Sequence, residues 1–281
     1  MRAWGVGAML MVIASPLVAQ RRDVNRMRWD GRDRTYLVRT PQRFDPTRPA
    51  PLVIVLHGFG GSGDLILAQS GFDAKADAEG FLVVAPDGTG DPPGWRTVFS
   101  FDFTDDVGFI GAIIDSVARR YPVDPRRIYV TGYSNGGRLA HHVAADLSSR
   151  IAAAAVVAGL IGARTERGQV NRIEPPRAPV PMLIMHGDAD PVVPYTGGRP
   201  ISAPEGARLW VRANECRSLE SRADTLSAGH VVRETWDVGC RAPVVFLTIR
   251  GGDHDWPSTS RGAAIDAAET IWEFFRQQQR R

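Results

Sequence analysis

The amino-acid sequence predicts an α/β fold: a mostly parallel central sheet with helices on both faces. Three observations predict it. Short, uninterrupted apolar runs such as residues 52–56 and 153–157 recur along the chain, as strands buried on both faces require. Segments of helical length and polarity separate these runs. The alternation continues through the 281 residues without an internal repeat, a low-complexity tract or a long linker, so it reads as one layered unit. Composition agrees: hydrophobic residues make up 43% and charged residues 23%, which excludes a disordered, collagen-like or multi-span membrane chain.

The elements follow in order. Residues 1–20 carry Arg2, an apolar stretch over 3–14, Pro16, and Leu17-Val18-Ala19 as a small-residue cleavage site. We expect a signal peptide at 1–19 and a single catalytic domain at 20–281. The alternative is a membrane anchor. The apolar run is shorter than the roughly 20 residues that a span needs, so no membrane contact is expected after cleavage, and the mature chain would be secreted or periplasmic. Residues 34–39 alternate and predict an early antiparallel strand. Residues 52–56, 81–85, 128–131, 153–157, 182–185 and 244–249 predict buried strands. Helices are expected over 64–78, 107–120, 137–147 and 263–277, the second capped by Thr104, Asp105 or Asp106. Residues 161–180 read as a polar, Pro-rich surface loop, and 191–241 as an irregular excursion over the sheet.

The formal net charge is +3, and Lys75 is the only lysine. A nucleic-acid partner calls for a basic stripe, and the arginines form only short doublets, so none is expected. Cys216 and Cys240 suffice for one bridge. Export would bring them into an oxidising compartment where they can pair; two buried free thiols are the alternative.

Gly58, Gly60 and Gly63 follow a strand as G-x-G-x-x-G, and Asp87 ends a later one, imitating a dinucleotide-binding turn. His57 just before the loop and the export signal both argue against that reading. Gly132-Tyr133-Ser134-Asn135-Gly136 is more informative. It is G-x-S-x-G between a strand and a helix, the context of a nucleophile elbow. The turn is sharp, so the small neighbours Gly132 and Gly136 make room for it. Ser134 is then exposed at a helix N-terminus, where backbone donors favour developing negative charge.

A serine hydroxyl needs a base, and the base needs an orienting acid. Among the histidines after Ser134, His141 and His142 lie along the helix, His186 precedes the acid candidates, and His230 falls in the excursion. His254 follows a core strand and two glycines, in a loop at a strand's C-terminal end. It is the expected base. Asp188 and Asp190 both follow the strand at 182–185; Asp190 is preferred because it lies farther into the loop. Asp253 and Asp255 flank His254 and rank second, since residues adjacent in sequence seldom have the geometry to orient the ring, though their charge could raise its pKa. A metal reading of Asp253-His254-Asp255 has no supporting ligand motif. Oxyanion donors are expected at the N–H groups of Asn135, after the nucleophile, and Phe59, in the loop after an early strand.

In these stretches the chain resembles the secreted α/β-hydrolase family of polyhydroxybutyrate depolymerases and feruloyl or acetylxylan esterases, LpqC-like esterases included. The resemblance runs from about Arg34 to Phe275. It rests on Leu56-His57-Gly58-Phe59-Gly60-Gly61, Ala85-Pro86-Asp87-Gly88, Asp105-Asp106-Val107-Gly108-Phe109 and Gly132-Tyr133-Ser134-Asn135-Gly136-Gly137. His186-Gly187-Asp188-Ala189-Asp190 and His254-Asp255-Trp256-Pro257 complete it. It implies the α/β-hydrolase fold and carboxylic ester hydrolysis through Ser134, Asp190 and His254, with oxyanion donors at Phe59 and Asn135 and no cofactor or metal. It also implies a Cys216–Cys240 disulfide. The family often has cysteine at position 59 and glycine at 253; the first departure leaves a backbone donor intact, and the second puts a charge beside the base. Expected partners are ester substrates: small molecules, oligomers or polysaccharide side groups. Trp95, Tyr133, Tyr195 and Trp256 are candidates for the pocket wall, with plain packing the alternative for each and a buttress of the His254 loop the preferred reading of Trp256. A non-catalytic binding protein on the same fold is the alternative.

Overall fold

The computed structural model describes residues 22–97, 104–164, 170–198 and 201–280; the expected signal peptide at 1–19 lies outside them. In chain order the elements are β1 (Arg22–Trp29), β2 (Arg32–Arg39), β3 (Ala50–Leu56), α1 (Gly63–Ser70), α2 (Phe72–Glu79), β4 (Leu82–Pro86), α3 (Asp106–Arg120), β5 (Val123–Tyr133) and α4 (Asn135–Asp146). They continue with β6 (Ala153–Val157), β7 (Gly162–Arg164), β8 (Val170–Arg172), β9 (Met182–Gly187), α5 (Ala203–Ala213), β10 (Arg222–Leu226), β11 (Val231–Trp236), β12 (Val244–Ile249) and α6 (Ala267–Phe275).

A ten-stranded sheet has the order β1-β2-β4-β3-β5-β6-β9-β12-β11-β10. Its centre, from β4 to β12, is parallel. Antiparallel strands extend it at both ends. Every residue of β3 is buried, and its side chains divide by parity. Leu52, Ile54 and Leu56 join Phe109, Leu139 and Trp210 on the face covered by α3, α4 and α5. Val53 and Val55 join Ile66, Phe72 and Trp272 on the face covered by α1, α2 and α6. Each such fully buried aliphatic side chain contributes about 2 kcal/mol against exposure. The six apolar runs read from the sequence are all strands of this parallel centre. The 34–39 strand is β2, antiparallel on both sides.

Several expectations need correction. The helix expected over 64–78 is two helices, because Gly71 takes φ 75° and ends α1. The last helix is shorter than 263–277, starting at Ala267 with Asp266 as its cap. The 161–180 loop contains the β7–β8 pair, and Ile161, Ile173 and Val180 are buried. The 191–241 excursion holds α5, capped by Ser202, and the strands β10 and β11, which extend the main sheet. Strand β1 was not anticipated; it pairs with β2 through a tight turn at Asp30-Gly31, both with positive φ. Asp105 is the cap of α3, accepting from the Gly108 N–H at 2.8 Å.

Cys216 and Cys240 form a disulfide. It ties the end of α5 to the chain entering β12, beside the Arg241 N–H to Asn214 C=O hydrogen bond. Between α4 and α5, the Trp210 indole N–H donates to His141 Nδ1 at 2.9 Å. His141 is therefore neutral in the fold, and burial pushes its pKa down to about 3.

Two outcomes follow. With a sequence separation of 24, loss of the bridge in Cys216→Ser/Cys240→Ser removes about 3 kcal/mol of stability, read by denaturant unfolding, while the native far-UV spectrum is retained. His141 takes a proton in the unfolded chain near pH 6.5 but not in the fold until far lower pH. Its contribution is complete above about pH 6.5 and declines as pH falls toward 3. His142, pushed down to about 4 chiefly by burial, acts with the same sign. Unfolding midpoints measured at pH 7, 5.5 and 4.5 should fall steadily, and His141→Gln should flatten that slope.

Candidate active site

The parallel strands end on one side of the sheet, and the loops there carry the candidate residues. Strand β5 runs through Gly132 and Tyr133 into Ser134, and α4 begins at once. Ser134 has φ 53° and ψ −113°, a conformation that L residues rarely adopt. The close packing around it explains why glycines are needed. A Cβ on Gly132 would lie 2.3 Å from the Gly136 carbonyl oxygen, and one on Gly136 would lie 2.3 Å from that of Leu56. A Cβ on Gly159 would come within 2.7 Å of the Gly137 carbonyl carbon. The Ser134 N–H donates to the Val157 carbonyl at 2.9 Å, anchoring the turn to β6.

His254, in the loop after β12, places Nε2 2.9 Å from Ser134 Oγ. Its Nδ1 lies 2.7 Å from Asp190 Oδ2, in the loop after β9. The other Asp190 oxygen accepts the N–H groups of Val192 and Val193 at 2.8 and 2.7 Å. Asp190 is thus a buried carboxylate whose orientation its own loop fixes. With Nδ1–H donated to Asp190, Nε2 is left to accept the serine proton. Such a chain can deprotonate a hydroxyl and stabilise the imidazolium that results.

The alternatives considered for the acid and base take other places. Asp188 accepts the Gly251 N–H at 2.6 Å and so joins the acid loop to the histidine loop. A Cβ on Gly187 would lie 2.2 Å from the Gly252 carbonyl oxygen, which shows how closely those loops approach. Asp253 accepts the backbone N–H of His254, and Asp255 that of Trp256. His141 is in the helix interface, and His230 follows a surface turn after β10.

The loop 57–61 after β3 comes up beside the serine; a Cβ on Gly58 would be 3.6 Å from Ser134 Cβ. It is held by His57, whose Nδ1–H donates to Gly58 C=O at 2.7 Å while Nε2 accepts the Gly88 N–H at 2.9 Å. Burial favours this neutral imidazole and lowers its pKa. Gly60 N–H donates to Pro93 C=O at 2.7 Å. The loop that carries Phe59 is therefore fixed on both sides of it. Asn135, the first residue of α4, has an N–H that no helical carbonyl can satisfy. The decoy acid Asp87 accepts from Gly63 N–H and Thr35 Oγ and pins the start of α1.

Three groups were not found from the sequence. The Asn135 side chain grips the main chain of Trp95, accepting its N–H at 2.7 Å and donating to its carbonyl at 3.2 Å. His186 lies beneath the acid, its Nε2–H donating to Val193 C=O at 2.8 Å, 3.4 Å from Asp190 Oδ2. Burial keeps His186 neutral by lowering its pKa. His57 is the third. Histidine before G-x-G, and histidine two residues before the acid pair, were visible signals, but nothing in the spacing identified their backbone partners.

A cleft of about 470 Å³ opens over Ser134, lined by Phe59, Trp95, Arg96, Arg138, Val192 and Val193 among others. Of the expected wall residues, Trp95 is present, its indole N–H bonded to His57 C=O at 2.8 Å. Tyr133 lies behind the histidine: its hydroxyl donates to His254 C=O at 2.8 Å and its ring packs 5.2 Å from the imidazole. Two expectations are corrected. Trp256 is fully buried against Phe72 because it faces the α1–α2 side of the sheet. Tyr195 stacks on Phe246 and bonds Thr248 Oγ, away from the cleft.

Residues 51–170 match the model of the alpha/beta hydrolase fold. The chain is 33% identical over 275 residues to the putative esterase NocK of Nocardia uniformis subsp. tsuyamanensis, covering 85% of this chain and 76% of that one. It is 30% identical over 248 residues to feruloyl esterase C of Emericella nidulans, covering 86% and 83%. Among solved structures, the acetyl xylan esterase from Aspergillus awamori superposes with a TM-score of 0.67 at 16% identity, over 86% of this chain and 94% of that one.

The glycine packing at the turn gives a sharp outcome. Gly132→Ala forces a Cβ into backbone at 2.3 Å, so it should cost about 3 kcal/mol or more of stability. Gly31→Ala, at a hairpin with nothing within 4 Å, should cost no more than about 1–2 kcal/mol, from its positive φ alone. Thermal unfolding of the two variants compares them directly.

Proposed function

The chain belongs to the α/β-hydrolase fold family as a carboxylic ester hydrolase related to feruloyl esterases, and from that premise we propose that it works through a Ser134-His254-Asp190 triad and an acyl-enzyme. The observation that carries this reading is the unbroken pair of hydrogen bonds from Ser134 Oγ through His254 to Asp190, at 2.9 and 2.7 Å.

In this mechanism Ser134 Oγ attacks the ester carbonyl as its proton passes to His254 Nε2. Asp190 holds the ring and stabilises its cation. The N–H groups of Phe59 and Asn135 receive the oxyanion. His254 returns the proton to the leaving alcohol. Water then attacks the Ser134 ester by the same route and releases the acid. No step calls for a cofactor. The strained Ser134 backbone keeps the nucleophile at the head of α4 without reorganisation during the reaction.

The substrates we propose are feruloyl or acetyl esters of polysaccharides, or esters of the polyhydroxyalkanoate type. We further propose that residues 1–19 are removed on export and that 20–281 form the single mature catalytic domain, secreted or periplasmic. The Cys216–Cys240 bridge supports an oxidising destination. Among the described residues no helix is long and apolar enough to cross a membrane.

Ser134→Ala should lower kcat/KM on short p-nitrophenyl esters by about 10⁴-fold or more with the unfolding midpoint retained. A fluorophosphonate probe should label the wild type alone. Full residual hydrolysis in the variant, or no labelling of folded wild type, would overturn the triad. N-terminal sequencing of exported protein should start near Gln20, and methyl ferulate, acetylated xylan and hydroxybutyrate oligomers compared side by side will rank the substrate classes.

A further inference from the structure

Strand β12, which leads to His254, lies three strands from β5, which leads to Ser134; the order between them is β5-β6-β9-β12. A base and a nucleophile delivered from separate strands depend on every intervening pair for their spacing. A misplacement of about 1 Å can cost about 100-fold in rate. One side chain bypasses the sheet. The Tyr133 hydroxyl, on the residue before the nucleophile, donates to His254 C=O at 2.8 Å. Among the described residues no main-chain N–H donates to that carbonyl. Two consecutive residues thus hold one histidine from both ends, Ser134 at ring Nε2 and Tyr133 at the main chain.

The Tyr133 ring is itself held in place. Its centroid lies 5.2 Å from that of the His254 imidazole, with the planes tilted by 36°. On the side of the loop after β3, a Cβ on Gly58 would lie 3.1 Å from Tyr133 Cδ1. The ring therefore fills the space between that loop and the histidine loop. Burial first, and then the charges of Asp255, Asp190 and Asp253, push the hydroxyl pKa up to about 12, so the group donates at any ordinary pH. The G-x-S-x-G pattern leaves this position open. An aliphatic residue there would keep the turn and lose the bond.

We propose that Tyr133 is a positioning residue for His254: its hydroxyl, bonded to the His254 carbonyl, sets the separation of base and nucleophile. The inference rests on the reading of Ser134, His254 and Asp190 as a triad. Tyr133 acts through the histidine main chain. In that mechanism His254 serves acylation and deacylation alike, so losing the bond slows both steps and leaves substrate binding in place.

The test is Tyr133→Phe, with Tyr129→Phe as a matched control. Tyr129 lies on the same strand and the same face. Its hydroxyl makes the same kind of bond, to Gln278 C=O at 2.7 Å, away from the site. With p-nitrophenyl acetate, and per active site titrated by a fluorophosphonate, Tyr133→Phe should lower kcat about tenfold and change KM by less than about twofold. Fluorophosphonate labelling should slow by a similar factor. Tyr129→Phe should lower the unfolding midpoint at least as much, yet keep kcat within about twofold of wild type. Tyr133→Met deletes the same bond, should split kcat from KM in the same way, and decides if Tyr133→Phe does not fold. A kcat within about twofold of wild type in the Tyr133 variants, a loss carried by KM alone, or an equal loss of kcat in Tyr129→Phe overturns the proposal. If the wild type neither hydrolyses the ester nor takes the label, the triad reading fails and this inference falls with it. That result is distinct from an active wild type with unimpaired Tyr133 variants.

Discussion

The turn at Ser134 is the constraint around which the rest of the site is arranged. Its positive φ is unfavourable for a residue with a side chain, and it persists because β5, α4 and the loop after β3 close on it from all sides. Gly132, Gly136 and Gly159 permit approaches that any Cβ would block. Once the turn is made, helix α4 begins with unsatisfied N–H groups at the place where negative charge would develop. The loops after β9, β12 and β3 are all brought to that point, carrying Asp190, His254 and Phe59.

A second layer of hydrogen bonds fixes those loops without touching the nucleophile. His57 bridges the loop after β3 to the turn at Gly88. His186 supports the acid loop through Val193, and Asp188 joins that loop to the histidine loop. Tyr133, adjacent to the serine in sequence, restrains the main chain of His254. The two imidazoles of His57 and His186 serve as neutral scaffolding, since burial disfavours charge on both.

The parallel centre of the sheet was legible because strands buried on both faces have no polar positions to blur them, as in β3 and β6. The hydrogen-bonded chain of Ser134, His254 and Asp190 was legible because a motif and a chain order are both one-dimensional. The margins were not. Strand β10 is exposed along most of its length, β1 alternates between exposed and half-buried, and charged residues obscure their alternation. Helix α5 begins at a proline-containing turn inside a segment dominated by loop residues. The break at Gly71 was not legible, since one glycine within a helical pattern does not dictate a stop. Which way the rings of Trp256 and Tyr195 face is settled only in three dimensions. The Asn135 side chain escaped notice for the same reason, since its partner is the backbone of a residue forty positions away.

The two outermost strands also bear on how the molecule behaves in a crowded solution. A long sheet ends in rows of unpaired N–H and C=O groups, which invite another sheet to add on. Here one border, β1, carries Arg22, Arg26 and Arg28, and the other, β10, carries Arg222 and Asp224. Bringing two β1 borders together would set arginines against one another, and joining either border to another sheet would strip charged side chains of water. The arginines of the β1 border thus guard against edge-to-edge stacking.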